Sequence, residues 1–468
     1  MAKKENAKNK MEQGESFRAW RAYRDRGEAV EESAGELKEF LSRCKTEREV
    51  VLWLEKKLAK AGFKSLKDCS ALKPGDRVYM NWKGRGFAAY QAGKKSVEAG
   101  FRLIGSHADS PRVDLKCKPL YEEGNLLMAD TQYYGGIKKY HWTNIPLALH
   151  GEIHKKNGSI QRVVIGEKED EPLLLIPDLA PHLDRKIAER KASNTIEGEN
   201  LDAIFAHRPD LDKEKKAILS LFLRWMKKEW GAQEQELVSA DLSLVPAGTA
   251  RDAGLDGSLI ASYALDDRVC VWASYRALLN LPSNLEQGSF LLVTDREEIG
   301  SDGLCGAQGS WIELFVLELL EKQGCANAAL GMRRAFGSSQ ALSADVTEAG
   351  NPLYKEAFDS QQMPLAGNGV CLMKYSGSGG KYGSSEARGE FLAEIISRLD
   401  EKKVPWQVGS LGKVDGGGGG TIASFLANLG MDVVDCGPAV LSLHAPWEMV
   451  SKADVLSAYE AYLAFWQG

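Results

Sequence analysis

The sequence predicts an α/β protein with a mostly parallel central sheet flanked by helices and an inserted β-rich domain. Three observations predict it. From Gly257 onward, strand-like and helix-like stretches alternate, the pattern of a parallel sheet covered by helices. An earlier apolar run, Phe101-Arg102-Leu103-Ile104, ends in Gly105-Ser106-His107-Ala108-Asp109, so the same architecture starts before any interruption. Between about Lys116 and Asp252 the character changes to short strand-like runs separated by turns and charged stretches. At 468 residues the chain is too long for one ordinary core. Residues 1–115 and 253–468 are therefore expected to form one discontinuous domain around an insertion spanning 116–252.

The elements follow in order. Met1 to Lys10 is basic but no apolar stretch follows it, so it is expected to be a frayed tail rather than a signal peptide. Thr46-Glu47-Arg48-Glu49 is a capping box, after which Val50, Val51, Leu54 and Leu58 recur on one helical face until Gly62. In the insertion, Val163-Val164-Ile165 and Leu173-Leu174-Leu175-Ile176 read as strands. Ile218, Leu221, Phe222, Trp225 and Met226 share a helix face there, suited to packing or a subunit contact. Beyond it come a helix from Asp267 through Leu279, a strand at 290–293, a helix around 311–322, and strands at 431–434 and 440–443.

Composition excludes several function classes. The 44% hydrophobic and 27% charged content is that of a globular protein. A net charge of -5 offers nucleic acid or an anionic membrane no attraction, and no apolar stretch approaches a membrane span. The eight cysteines are scattered without a CxxC pair. That argues against a disulfide scaffold and against a cysteine-zinc site, and points to a cytoplasmic location. Gly416 to Gly420 is the one low-complexity stretch; no Gly-Lys-Ser/Thr follows it, so close backbone approach to a substrate is expected there rather than phosphate binding.

The polar residues at strand ends carry the chemistry. His107 follows the strand at 101–104, Glu297 and Glu298 follow 290–293, Asp345 follows 341–344, His444 follows 440–443, and Asp266 opens the helix after Tyr263-Ala264-Leu265. In an open α/β sheet such positions gather at the carboxyl edge. Imidazole and carboxylate without cysteine suit catalytic zinc. Three carboxylates (Asp266, Glu298, Asp345) and one hydroxide balance two divalent cations, which two-metal hydrolases hold on the order of 3.5–4 Å apart. Asp266 is the natural bridge; His107 and Asp345 complete one metal, Glu298 and His444 the other. Asp109 stands where it can accept the free N–H of His107 and fix its tautomer. Adjacent carboxylates cannot both point the same way, so Glu297 is left to move the proton as general base. His141, His150, His154 and His207 have no carboxylate partner that the sequence identifies, and surface or packing roles are expected.

Gly105-Ser106-His107-Ala108-Asp109-Ser110-Pro111-Arg112, Asp266-Asp267-Arg268-Val269, Glu297-Glu298-Ile299-Gly300-Ser301, Ser343-Ala344-Asp345-Val346 and Ser442-Leu443-His444-Ala445 together resemble the aspartyl aminopeptidase/aminopeptidase I family. The resemblance runs over nearly the whole chain after its N-terminal tail. It implies a di-zinc exopeptidase fold, release of single N-terminal residues from peptides, and the ligands and base named above, with cobalt or manganese as substitutes for zinc. It also implies that the inserted domain is a dimerisation domain and that dimers assemble into a tetrahedral homododecamer. Leu175 to Leu183 is similar to the family segment whose histidine, here His182, polarises the substrate carbonyl in a neighbouring subunit. Lys374 and Tyr382 resemble the family's substrate-pocket lysine and tyrosine, with Lys381 an alternative for the cationic role. Glu197-Gly198-Glu199-Asn200-Leu201 and Val245-Pro246-Ala247-Gly248 resemble the aminopeptidase I branch, where neutral as well as acidic N-terminal residues are substrates. The rival readings are a di-zinc carboxypeptidase or deacylase, and a non-catalytic assembly protein on the same scaffold.

Overall fold

The computed structural model describes residues 16–468; Met1 to Lys10, the expected tail, lies outside them. The chain separates into two compact units. One runs to Asp109 and continues through Arg251–Leu443 and Glu448–Gly468; the other comprises Ser110–Ala250 and His444–Trp447.

The first unit is built on a nine-stranded sheet. Its order is Lys64–Ser65, Arg77–Trp82, Gly86–Gln91, Gly288–Thr294, Phe101–His107, Gln340–Ser343, Asp432–Gly437, Val370–Met373 and Trp406–Val408. The four strands from Gly288–Thr294 to Asp432–Gly437 are parallel neighbours, while Gly86–Gln91 and Val370–Met373 join them antiparallel. Gly288–Thr294 is buried at every residue, as an unbroken apolar strand covered on both faces must be. Phe290 packs against Phe101 and Phe315 with ring centroids 5.4 and 5.0 Å apart. Each such buried ring contributes roughly 1.5–3 kcal/mol.

The helices obey their sequence signals. In Glu47–Lys60 the Glu49 N–H donates to Thr46 Oγ1 at 3.4 Å and the Thr46 N–H to Glu49 Oε2 at 2.9 Å, while Val50, Val51, Leu54 and Leu58 are buried. Leu265–Leu279 and Lys452–Gln467 pack together and are buried on most faces, the condition of helices enclosed between layers.

A smaller five-stranded sheet in this unit has the order Arg251–Ala253, Leu259–Ser262, Glu448–Ser451, Ala439–Leu441, Thr347–Glu348. The strand expected at 440–443 belongs here rather than to the central sheet. It stops at Leu441 because Ser442, with φ 63°, turns the chain away.

The second unit holds a six-stranded, wholly antiparallel sheet, ordered Ile160–Ile165, Leu147–His154, Ala240–Pro246, Arg112–Glu123, Leu126–Tyr134, Ala203–Ala206. Helix Ala217–Glu229 lays Ile218 and Leu219 against Leu127. Its buried stripe is Ile218, Leu219 and Met226, and Trp225 of the expected stripe is 40% exposed. Leu173–Ile176 is not a strand: Leu174 and Leu175 make single bridges to Leu147 and Ile204. Pro172 and Pro177 flank the run and lack the N–H groups that a ladder needs. Among the described residues no helix is long and apolar enough to cross a membrane.

Candidate metal centre

Three adjacent parallel strands end at one edge of the central sheet. Thr294 pairs with His107, and Ser343 with Gly105, so Glu297 and Glu298, His107 and Asp345 follow neighbouring strand ends. Asp266 reaches the site differently. It leaves Leu259–Ser262 of the smaller sheet through Ala264 (φ 60°), and Asp266 and Asp267, joined by a cis peptide, are non-helical at the head of the next helix. Three strands of the central sheet and the corner that opens a helix thus bring four of the five expected segments into one unit.

The side chains converge on one imidazole nitrogen. His107 Nε2 lies 3.2 Å from Asp266 Oδ1, 3.8 Å from Asp345 Oδ1 and 4.0 Å from Glu297 Oε2. Two three-residue groups have all their ligand atoms within 4.8 Å of one another: His107 with Asp266 and Glu298, and His107 with Asp267 and Asp345. Asp267 was not among the sequence-predicted ligands. Its signal was the Asp266-Asp267 pair itself, since two adjacent acids diverge just as Glu297 and Glu298 do.

Backbone amides beneath these side chains are gripped by buried carboxylates. Asp109 Oδ1 accepts the Glu297 N–H and Oδ2 the Glu298 N–H, each at 3.2 Å. Asp267 Oδ2 accepts the His107 N–H at 3.2 Å, and Glu448 Oε2 the Asp266 N–H at 3.0 Å. Asp109 thus does more than expected: His107 Nδ1 is 3.1 Å from its carbonyl oxygen and 3.4 Å from its carboxylate Oδ1. The main-chain oxygen is the nearer partner because the carboxylate is occupied by the glutamate turn.

Burial and like charge set the electrostatics. Burial opposes charging the His107 ring, but hydrogen bonds to Asp109, Asp266 and Asp345 raise its pKa well above the usual imidazole value. Burial pushes the Glu297 carboxyl up to about 8, with His107 opposing and Asp345, Asp109 and Asp266 adding to the rise. Burial, then the Asp345 charge, lifts Asp267 well above the carboxylate range. Carboxylates crowded this closely repel unless a cation lies among them. Oxygen and imidazole donors without thiolate suit zinc, so the residues present fit that ion.

The remaining expected residues have their own surroundings. His444, with φ 63°, falls with the second unit, where its Nδ1 is 3.0 Å from the Gly136 carbonyl oxygen. His182 is exposed in the same unit. Lys374, Lys381 and Tyr382 are exposed, and Lys381 Nζ donates to Glu386 Oε1 at 2.6 Å. Lys374, Lys381 and Gly417 border one cleft of about 350 Å³. The glycine run makes its close approach to its own chain: Gly418–Gly419 pairs with Gly377–Ser378, and a Cβ on Gly418 would meet Gly377 O at 2.3 Å. His150, expected to lack a carboxylate, is 2.9 Å from Glu167 Oε1. The eight cysteines are free, and Cys44, Cys270, Cys305, Cys371 and Cys436 are buried as expected of small core residues.

Known proteins are similar to this chain in sequence and in fold. A sequence model of the aminopeptidase I zinc metalloprotease family (M18) matches residues 40–466. A probable M18 family aminopeptidase 1 of Clostridium acetobutylicum is 41% identical over 453 residues, covering 96% of this chain and 97% of that one. The corresponding protein of Thermotoga maritima is 40% identical over 435 residues, covering 93% and 95%. The crystal structure of an M18 aminopeptidase from Thermotoga maritima superposes with a TM-score of 0.92 at 39% identity, covering 95% of this chain and 98% of that one. With a strand-end cluster of imidazole and carboxylates matched by likeness over almost its whole length, the chain belongs to the M18 aminopeptidase I family of zinc metalloproteases and is a zinc-dependent aminopeptidase.

Proposed function

We propose that this aminopeptidase releases single N-terminal residues, acidic or neutral, from peptides at a centre for two zinc ions in each subunit. The observation that carries the reading is the convergence of Asp266, Asp345 and Glu297 on His107 Nε2, at 3.2, 3.8 and 4.0 Å. His107, Asp266, Glu298, Asp345 and His444 would hold the ions, and Asp267 is a further carboxylate within reach of His107 and Asp345. Zinc supplies Lewis-acid polarisation of the scissile carbonyl and acidifies a water; cobalt and manganese can serve in its place.

Glu297 takes the proton from the attacking water and returns it to the leaving amine. Asp109 fixes the turn that presents Glu297 and steadies the His107 ring. His182 of a neighbouring subunit polarises the carbonyl, and Lys374 or Lys381 with Tyr382 receives the substrate side chain. The second unit pairs subunits, and the assembly is a tetrahedral dodecamer; a Saccharomyces cerevisiae protein of the same fold forms a dodecamer. Free cysteines suit action in the cytoplasm.

Glu297→Gln tests the reading. Zinc content should stay at two per subunit while kcat falls by about 10²–10⁴-fold. Loss of zinc, or retained turnover, would remove Glu297 from this role. Aminoacyl anilides of Asp, Glu, Leu and Met, set against N-blocked peptides, test the substrate class, and cleavage of the blocked peptides alone would favour a carboxypeptidase or deacylase.

A further inference from the structure

A buried cation beside the centre has no part in that mechanism. Arg268 directly follows Asp266 and Asp267 and is 1% exposed. Its Nη2 donates at 3.1 Å to the carbonyl of Ala108 and at 3.1 Å to that of Lys45. Tyr263 offers its ring face, with the centroid 5.6 Å from the guanidinium carbon. Nε and Nη1 meet no hydrogen-bond acceptor among the described residues. A guanidinium keeps its charge at any accessible pH, and a buried charge is costly unless something nearby compensates it.

The contacts form an interlock. Asp267 Oδ2 accepts the His107 N–H, and Arg268 Nη2 donates to the Ala108 carbonyl. Consecutive residues of the corner thus grip consecutive residues of the turn that bears His107 and Asp109. The bond to Lys45 ties both to the residue just before the Thr46 cap of helix Glu47–Lys60.

We infer that Arg268 is a positioning residue of the metal centre, locking the Asp266–Asp267 corner onto the His107–Asp109 turn. The inference rests on the reading that His107 and Asp266 hold zinc.

Arg268→Met and Arg268→Lys in the full-length protein test it. Zinc affinity is read by competition with a chromogenic chelator, folding by circular dichroism and assembly size, and kinetics with an aminoacyl anilide. Arg268→Met should fold, bind zinc about 10–100-fold more weakly and lose kcat, with KM within about twofold. Arg268→Lys should recover part of both losses, because an ammonium can still donate to a carbonyl but lacks the planar fork that reaches both. Wild-type zinc affinity and kcat in folded Arg268→Met would overturn the inference. Failure of both variants to fold would also overturn it, making Arg268 a packing residue; if only the Lys variant folds, its zinc affinity and kcat decide by the same criteria. His107→Ala separates the two levels: full zinc binding in that variant means that the ligand reading has failed, not merely the role of Arg268.

Discussion

The strand-end cluster and the loop from Lys374 to Gly383 are held in place by opposite means. Around His107 the side chains are largely buried, and the backbone amides of His107, Asp266, Glu297 and Glu298 are each gripped by a carboxylate. In the loop, Tyr382 is 80% exposed, Lys381 meets nearby Glu386 and the Tyr375 ring, and the backbone is steadied by a ribbon of two residues per strand. Groups that must meet to a fraction of an ångström sit on the sheet, where many contacts over-determine them. The groups proposed to select among side chains sit where substitution disturbs little else.

The largest expected effect breaks the rigid side. His107→Ala removes the nitrogen on which both three-residue groups depend. Zinc should be lost and anilide hydrolysis should fall by more than about 10³-fold, checked by metal analysis and steady-state rates. Asp109→Asn is subtler. One amide oxygen cannot replace two carboxylate oxygens that accept from Glu297 and Glu298. With zinc retained, kcat should fall about 10–100-fold, measured beside zinc content.

Asp454 lies between the two regimes. Its carboxylate accepts the N–H groups of Gly367 and Gly369 at 2.6 and 2.7 Å, just before the strand leading into Lys374. Burial nevertheless raises it from 3.8 to about 7. The folded state therefore holds this proton more tightly than the unfolded chain does. The resulting stability is fully present below pH 3.8 and is lost as pH rises through about 7. Over that range the loss is on the order of 4 kcal/mol. Urea midpoints at successive pH values should show a decline in the wild type that is smaller by this amount in Asp454→Asn. Equal slopes would mean that Asp454 does not titrate in this window.

The smallest effect belongs to the loop. Lys374→Met should change the ratio of kcat/KM for Asp- over Leu-anilide by about two- to fivefold, the worth of an exposed ion pair, and leave zinc content unchanged. A comparable loss on both substrates would move Lys374 from selection to positioning.

The contrast also separates what the sequence made legible from what it hid. His107, Glu297, Glu298 and Asp345 could be found because each lies just past a short apolar strand of a parallel sheet, whose ends share one edge. Asp266 was found as a residue but not by its route, because Leu259–Ser262 pairs with Glu448–Ser451, far along the chain. The same long-range pairing hid Glu448 as the acceptor for the Asp266 N–H. Arg268 read only as part of a motif, since burial of a guanidinium is a tertiary fact. His150 lies within Leu147–His154 and Glu167 just past the paired strand Ile160–Ile165, so their contact depends on register.

Asp109 has a consequence for how this centre can change over evolutionary time. One carboxylate, through its two oxygens, ties the backbone of two consecutive glutamates. It acts as a yoke: any shift of the turn moves both glutamates together and preserves the offset between them. Mutations elsewhere in the sheet can retune where the pair sits, but hardly how its members stand to each other. Variation in activity among proteins that keep this yoke should therefore arise chiefly in the loops that face the substrate.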